Sequence, residues 1–115
     1  MDVIIDYLPE FERRAKELAK KYKSFAKDYE TFLDELENNP FGGESLGQHT
    51  YKYRMAIASK GKGKSGGSRI ITYNLHQTSD KLVITLMTIY DKSDIENVSD
   101  AYLHSLVAQI EKKQV

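Results

Sequence analysis

Apolar residues recur along this chain with two different periods. Between Pro9 and Asn38 they step by four and three, at Phe11, Ala15, Leu18 and Tyr22, then Phe25, Tyr29, Phe32 and Leu36. That is one stripe along a helix surface. Pro9 suits a first helical turn, and Glu10 and Glu12 lie near its positive end. The stripe fits one helix of about 28 residues, or two helices turning near Lys23-Ser24 with Ser24 as N-cap. A helix that long would overhang a chain of 115 residues, so a hairpin ending before Asn38-Asn39-Pro40 is expected.

From His49 the period changes to two. Along His49–Ala58, Tyr51, Tyr53, Met55 and Ile57 share one face, and Lys52 and Arg54 the other, which predicts a half-exposed strand. The β-branched runs SRIITYNL (68–75) and LVITLMTIY (82–90) predict two more strands, joined by a turn at Gln77-Thr78-Ser79-Asp80. Val3-Ile4-Ile5 predicts a short first strand, FGGESLGQ (41–48) a glycine-rich loop, and residues 91–97 a polar connection. From Ser99 a final helix sets Tyr102, Leu106 and Ile110 four apart, with Lys112 and Lys113 in its last turn. The order predicts a single α+β domain over 1–115: a strand, a helical hairpin, a meander of three antiparallel strands and a last helix. The helices are expected on one face of the sheet.

Charge changes this picture. Lys+Arg and Asp+Glu are equal at 17 each, yet residues 49–74 hold six Lys/Arg and no acid. Residues 1–48 hold seven against eleven, and residues 75–115 four against six. Screening confines such fields to about 8–10 Å, so local sign decides what docks, and the middle third is the candidate anion-binding surface. There is no cysteine, which excludes disulfides and thiolate metal sites and suits the cytoplasm. The N-terminus, MDVIIDYLPEFE, carries acids where a signal peptide carries bases and is expected within the mature fold.

The basic stretch, SKGKGKSGGSRIITY (59–73), imitates several phosphate-binding motifs and satisfies none in context. Gly61 to Gly66 reads G-x-G-x-x-G, but a strand follows where a dinucleotide site needs a helix. Gly63-Lys64-Ser65 resembles a P-loop ending, yet the earlier glycine is Ala58. His49, His76 and His104 show no metal-ligand spacing and nothing suggests Ser-His-Asp chemistry, so no metal is expected. Strand-borne Lys52, Arg54 and Arg69, interleaved with Tyr51, Tyr53 and Tyr73, resemble a surface that meets nucleic-acid phosphates and bases. Tyrosines at alternate strand positions serve a core equally well.

The stretch SKGKGKSGGSRIITY, with LVITLMTIYDKSD after the next turn and ELENNP closing the second helical segment, resembles the RelE/HigB superfamily of toxins from bacterial type II toxin–antitoxin systems, most closely the HigB-like branch. The likeness is specific over residues 50–93 and looser elsewhere. It implies a RelE-like fold and a ribosome-dependent mRNA endonuclease that needs no cofactor or metal, cutting by attack of a ribose 2′-hydroxyl on the adjacent phosphate. It implies Lys52 as general base, with Arg54 as the other member of a basic pair on the same strand, and Arg69 as clamp on the scissile phosphate. Lys92 would stabilise the transition state or act as acid, and Tyr90 would stack a base or donate a proton. Lys60, Lys62 and Lys64 would contact ribosomal RNA. Implied partners are the ribosome, mRNA and a helix-turn-helix, HigA-like antitoxin, with no membrane. Two departures stand out: a pI of about 6.8, low for such toxins, and Val98 where some relatives carry a tyrosine, with Tyr102 further along. A non-catalytic RNA-binding module, or a gyrase-poisoning toxin of the ParE kind, are the alternatives.

Overall fold

The first strand, β1 (Asp2–Tyr7), lies along an edge of the sheet and runs parallel to its neighbour, pairing Asp2 with Lys81 through Tyr7 with Leu86. The computed structural model describes residues 1–113. Helix α1 (Pro9–Lys21) starts on Pro9 as expected and is laced by Arg14–Glu10, Arg13–Glu17 and Lys16–Glu12 pairs one turn apart. The chain breaks at Tyr22–Ser24 before α2 (Phe25–Asn38), so the helical stripe is a hairpin. Ser24 sits at the N-cap but does not cap its own helix. Its hydroxyl bonds Asp28 Oδ2 at 2.7 Å and accepts the Ser59 N–H at 2.9 Å, while Asp28 accepts the Ala58 N–H at 3.0 Å. The first turn of α2 therefore anchors the entrance to the basic loop.

Strands β2 (Glu44–Gly47), β3 (Thr50–Met55), β4 (Ser68–Thr78) and β5 (Lys81–Asp91) form an antiparallel run, giving the order β1-β5-β4-β3-β2. Strand β2 corrects the expectation of a plain loop over 41–48: the second half of that segment pairs with β3 through Glu44↔Lys52 and Ser45↔Tyr51. The predicted turn after β4 shrinks to Ser79-Asp80. Helix α3 (Asp100–Lys113) closes the fold. No helix among the described residues is long and apolar enough to cross a membrane.

The helices do not share a face, contrary to expectation. Phe11, Leu18, Phe25, Phe32 and Leu36 of the hairpin pack on Tyr53, Met55, Ile57, Ile70, Leu82, Ile84, Leu86 and Ile89. Helix α3 covers the opposite face, where Leu106 and Ile110 meet Ile71, Met87, Tyr90 and Leu8. A bulge in β5 decides which of its last side chains meet α3. Ile71 pairs with Thr88 and Thr72 with Leu86, which leaves Met87 unpaired. The extra residue reverses the alternation, so Ile89 points to the hairpin and Tyr90 to α3.

Candidate functional site

Strand register assembles the site. Arg54 lies opposite Arg69, and Arg69 opposite Tyr90, so the three form one cross-strand row; Lys52, Ile71 and Thr88 form the next. Residues opposite one another share a face, and Ile71 and Tyr90 fix it as the α3 face. Just beyond β5, the Lys92 N–H bonds the Gly67 carbonyl at 3.0 Å. Lys52, Arg54, Arg69 and Lys92 line one cleft of 840 Å³, which Glu35 and Glu44 also border. Four of the five residues expected to carry chemistry thus share this cleft, and Tyr90, opposite Arg69 in the row, lines a neighbouring one. Without the bulge, Tyr90 would face the hairpin instead.

The individual side chains are held very differently. Arg54 is exposed and joins no ion pair among the described residues. Lys52 Nζ donates to Asn97 Oδ1 at 3.2 Å and lies 3.9 Å from Glu44 Oε2. Lys92 Nζ donates to the Glu96 carbonyl at 3.1 Å. Both lysines are therefore tethered to the connection between β5 and α3.

Arg69 is 7% exposed, and its guanidinium donates to the carbonyls of Lys64, Ser65 and Ser68 at 3.0–3.1 Å. Its fork shapes the glycine-rich loop, so the expectation of a free phosphate clamp shifts to its neighbour Arg54. These bonds hold the Arg69 guanidinium on loop carbonyls, although its strand position lies directly opposite Arg54. The loop's tightness requires Gly67, where a Cβ would strike the Met55 carbonyl oxygen, and Gly63, whose φ of 62° is left-handed.

Tyr90 is 3% exposed, so its ring stacks no base; the hydroxyl is what remains for chemistry. That hydroxyl is buried and, within the protein, lacks a hydrogen-bond partner. Burial pushes the phenol's pKa up, with the Arg69 charge pulling partly against it. The group stays a proton donor at neutral pH. Tyr102 is engaged elsewhere: its hydroxyl donates to Glu10 Oε2 at 2.5 Å and shares a 2.8 Å bond with Thr88. Burial pushes the Glu10 carboxyl up, but the Tyr102, Arg14 and Arg13 bonds outweigh it and hold it down at about 2.

The basic loop divides in space. Lys60 is a structural cation: its side chain is 7% exposed, and its ammonium bonds Asp91 Oδ1 at 2.6 Å and Ser93 Oγ at 2.8 Å. The Tyr22 hydroxyl donates to the other oxygen of Asp91. This corrects the expectation of Lys60 as an RNA contact. Lys64 pairs with Glu35 at 3.1 Å, and Lys62 is exposed without an ion pair among the described residues. Acids missing from the sequence around the cations are thus supplied by α2, β2 and β5. Among the described residues no three His, Cys, Asp or Glu side chains cluster as a metal site.

No protein-family model matches this chain.

Sequence reasoning missed Asn97 and the groove beside it. A second cleft, of 380 Å³, runs between the β2–β3 hairpin and α3, touching Lys52, Tyr90, Asn97 and Leu103. Asn97 lies in a polar run whose sequence distinguishes none of its members.

Proposed function

We propose that this protein is a ribosome-dependent mRNA endonuclease, the toxin of a type II toxin–antitoxin pair. The observation that supports it most is the gathering of Lys52, Arg54, Arg69, Tyr90 and Lys92 on one sheet face, from three strands and the residue after the last. In this reading the ribose 2′-hydroxyl attacks the adjacent phosphorus and the bond to the 5′-oxygen breaks, leaving a 2′,3′-cyclic phosphate and a 5′-hydroxyl. Lys52 takes the 2′ proton, and Arg54 offers its planar fork to the non-bridging oxygens. Lys92 adds positive charge where the phosphorane-like state is most negative. Tyr90 returns a proton to the departing oxygen. Arg69 acts through the loop it shapes and is a positioning residue.

Lys62 extends the cationic surface toward ribosomal RNA, while Lys64 is paired with Glu35 of the helical hairpin, whose α2 borders the same cleft. The required partner is an antitoxin whose acidic or amphipathic segment covers the row. A second reading, a non-catalytic RNA-binding module in the cytoplasm, draws support from the burial of Arg69 and Lys60 in structural bonds. One experiment separates the two. Added to a translation reaction, the protein should cut message only when ribosomes are present, leaving cyclic phosphate ends. Salt-sensitive RNA binding without any cut product would overturn the nuclease in favour of the module.

A further inference from the structure

We infer that Glu35 and Glu44 are built-in competitors of RNA at the cationic cleft: each carboxylate holds one of its lysines until a phosphate displaces it. The inference rests on the nuclease reading for RNA as the ligand, and on two ion pairs for the device.

Five cations border the 840 Å³ cleft against two acids, Glu35 and Glu44, which lower its formal charge from +5 to +3. The acids come from the two elements that flank the row. Glu44 stands directly opposite Lys52, so it continues the line of Lys52, Ile71 and Thr88 onto β2, and its Oε2 lies 3.9 Å from Lys52 Nζ. Glu35 reaches across from α2 to Lys64 Nζ at 3.1 Å. The field of Glu44 extends to the phenol of the row: burial raises the Tyr90 pKa, Arg69 pulls it down, and the Glu44 charge pushes it up again. Carboxylate and phosphate oxygens compete for the same ammonium donors.

The competitors can leave without opening the core. The Glu35 and Glu44 side chains are 50% and 69% exposed, so both return to water when displaced. Strand β2, the shortest of the sheet, has four exposed residues and a bulge after Ser45. Its turn sets Gln48 and His49 at φ of 51° and 69°, a left-handed pair that residues other than glycine rarely adopt. The strand that carries Glu44 is therefore lightly held. Exposed pairs of this kind oppose binding weakly: enough to turn away loose RNA, too little to hold off message presented at high local concentration. The device ties the chain's balanced charge to its dependence on the ribosome.

The test titrates the full chain, without ribosomes, into fluorescein-labelled single-stranded oligouridylate. At about 50 mM salt, Glu44→Gln and Glu35→Gln should each tighten binding about threefold, and the double variant about tenfold. The gain should fade as salt rises, because screening shortens the reach of these charges. Glu17→Gln is the control: it removes the same charge and breaks an exposed pair with Arg13 at 3.0 Å, on a helix that does not border the cleft. It should leave binding unchanged. In a Lys64→Gln background the Glu35→Gln gain should shrink by at least about half, since the cation it competes for is gone. Equal tightening by Glu17→Gln, a gain undiminished in the Lys64→Gln background, or no tighter binding in either cleft variant would overturn the inference. Tighter binding without ribosome-dependent cutting of message removes the nuclease and leaves the device. Cutting with unchanged binding does the reverse.

Discussion

The two faces of the sheet are built from alternate residues of the same strands and could hardly differ more. On the hairpin face thirteen buried apolar side chains form one continuous core. On the α3 face six do among the described residues, and the helix leaves the β3 end open, where Lys52 and Arg54 stand. Tyr53, for example, is buried and donates to the Pro40 carbonyl at 2.5 Å, while its neighbour Arg54 is exposed. Side-chain alternation thus lets one strand feed the core on one side and carry cations on the other. The difference predicts that substitutions on the hairpin face read out as stability, and those at the row as activity.

The largest expected effect lies where the hairpin face pins the basic loop. Asp91→Ala leaves the buried Lys60 ammonium without its counter-charge and should destabilise the protein by about 4 kcal/mol in urea denaturation. A change below about 1 kcal/mol would show that the pair is not buried as described. Next comes Leu86→Ala, fully buried on the hairpin face, with an expected loss of about 3 kcal/mol. Leu106→Ala on α3 should cost less, about 2 kcal/mol, because the core there is smaller. A larger loss at Leu106 than at Leu86 would invert the comparison between faces.

A smaller effect concerns the link between the two sides. Glu10 on α1 receives hydrogen bonds from Tyr102 on α3 and from Arg14. Its folded pKa of about 2 lies below the ordinary 4.5. A depressed carboxylate contributes stability that is present above the ordinary value and lost as pH falls through the folded one. The urea midpoint should therefore drop on acidification from pH 4.5 toward about 2. Tyr102→Phe, which removes one of the bonds holding the carboxyl down, should flatten that drop. An unchanged acid profile would exclude this network as its source.

The helical break and the strands were legible because each rests on local pattern: the Lys23-Ser24 turn, the alternation from Tyr51 to Ile57, and the β-branched runs. What escaped depends on residues far apart in sequence. Nothing in Val3-Ile4-Ile5 announces a parallel partner at Leu82–Ile84. The bulge at Met87 cannot be seen in LVITLMTIY, yet it decides which face Tyr90 occupies. Lys60 and Arg69 looked like free cations because their partners, Asp91 and the loop carbonyls, become neighbours only after folding. The sequence marked Lys52, Arg54, Arg69, Tyr90 and Lys92, which the fold brings onto neighbouring strand positions, while their division into exposed and structural members required the fold. β2 was masked by two glycines, and Asn97 by a polar run of similar residues.

The most direct measurement compares message cleavage by two variants that lose the same charge at different places, Arg54→Ala on the row and Lys81→Ala at the far end of β5. Both should keep the wild-type unfolding midpoint. Cleavage in the presence of ribosomes should fall about 100-fold or more in Arg54→Ala and stay near wild type in Lys81→Ala. Equal rates in the two variants would contradict an active site on the α3 face of this sheet.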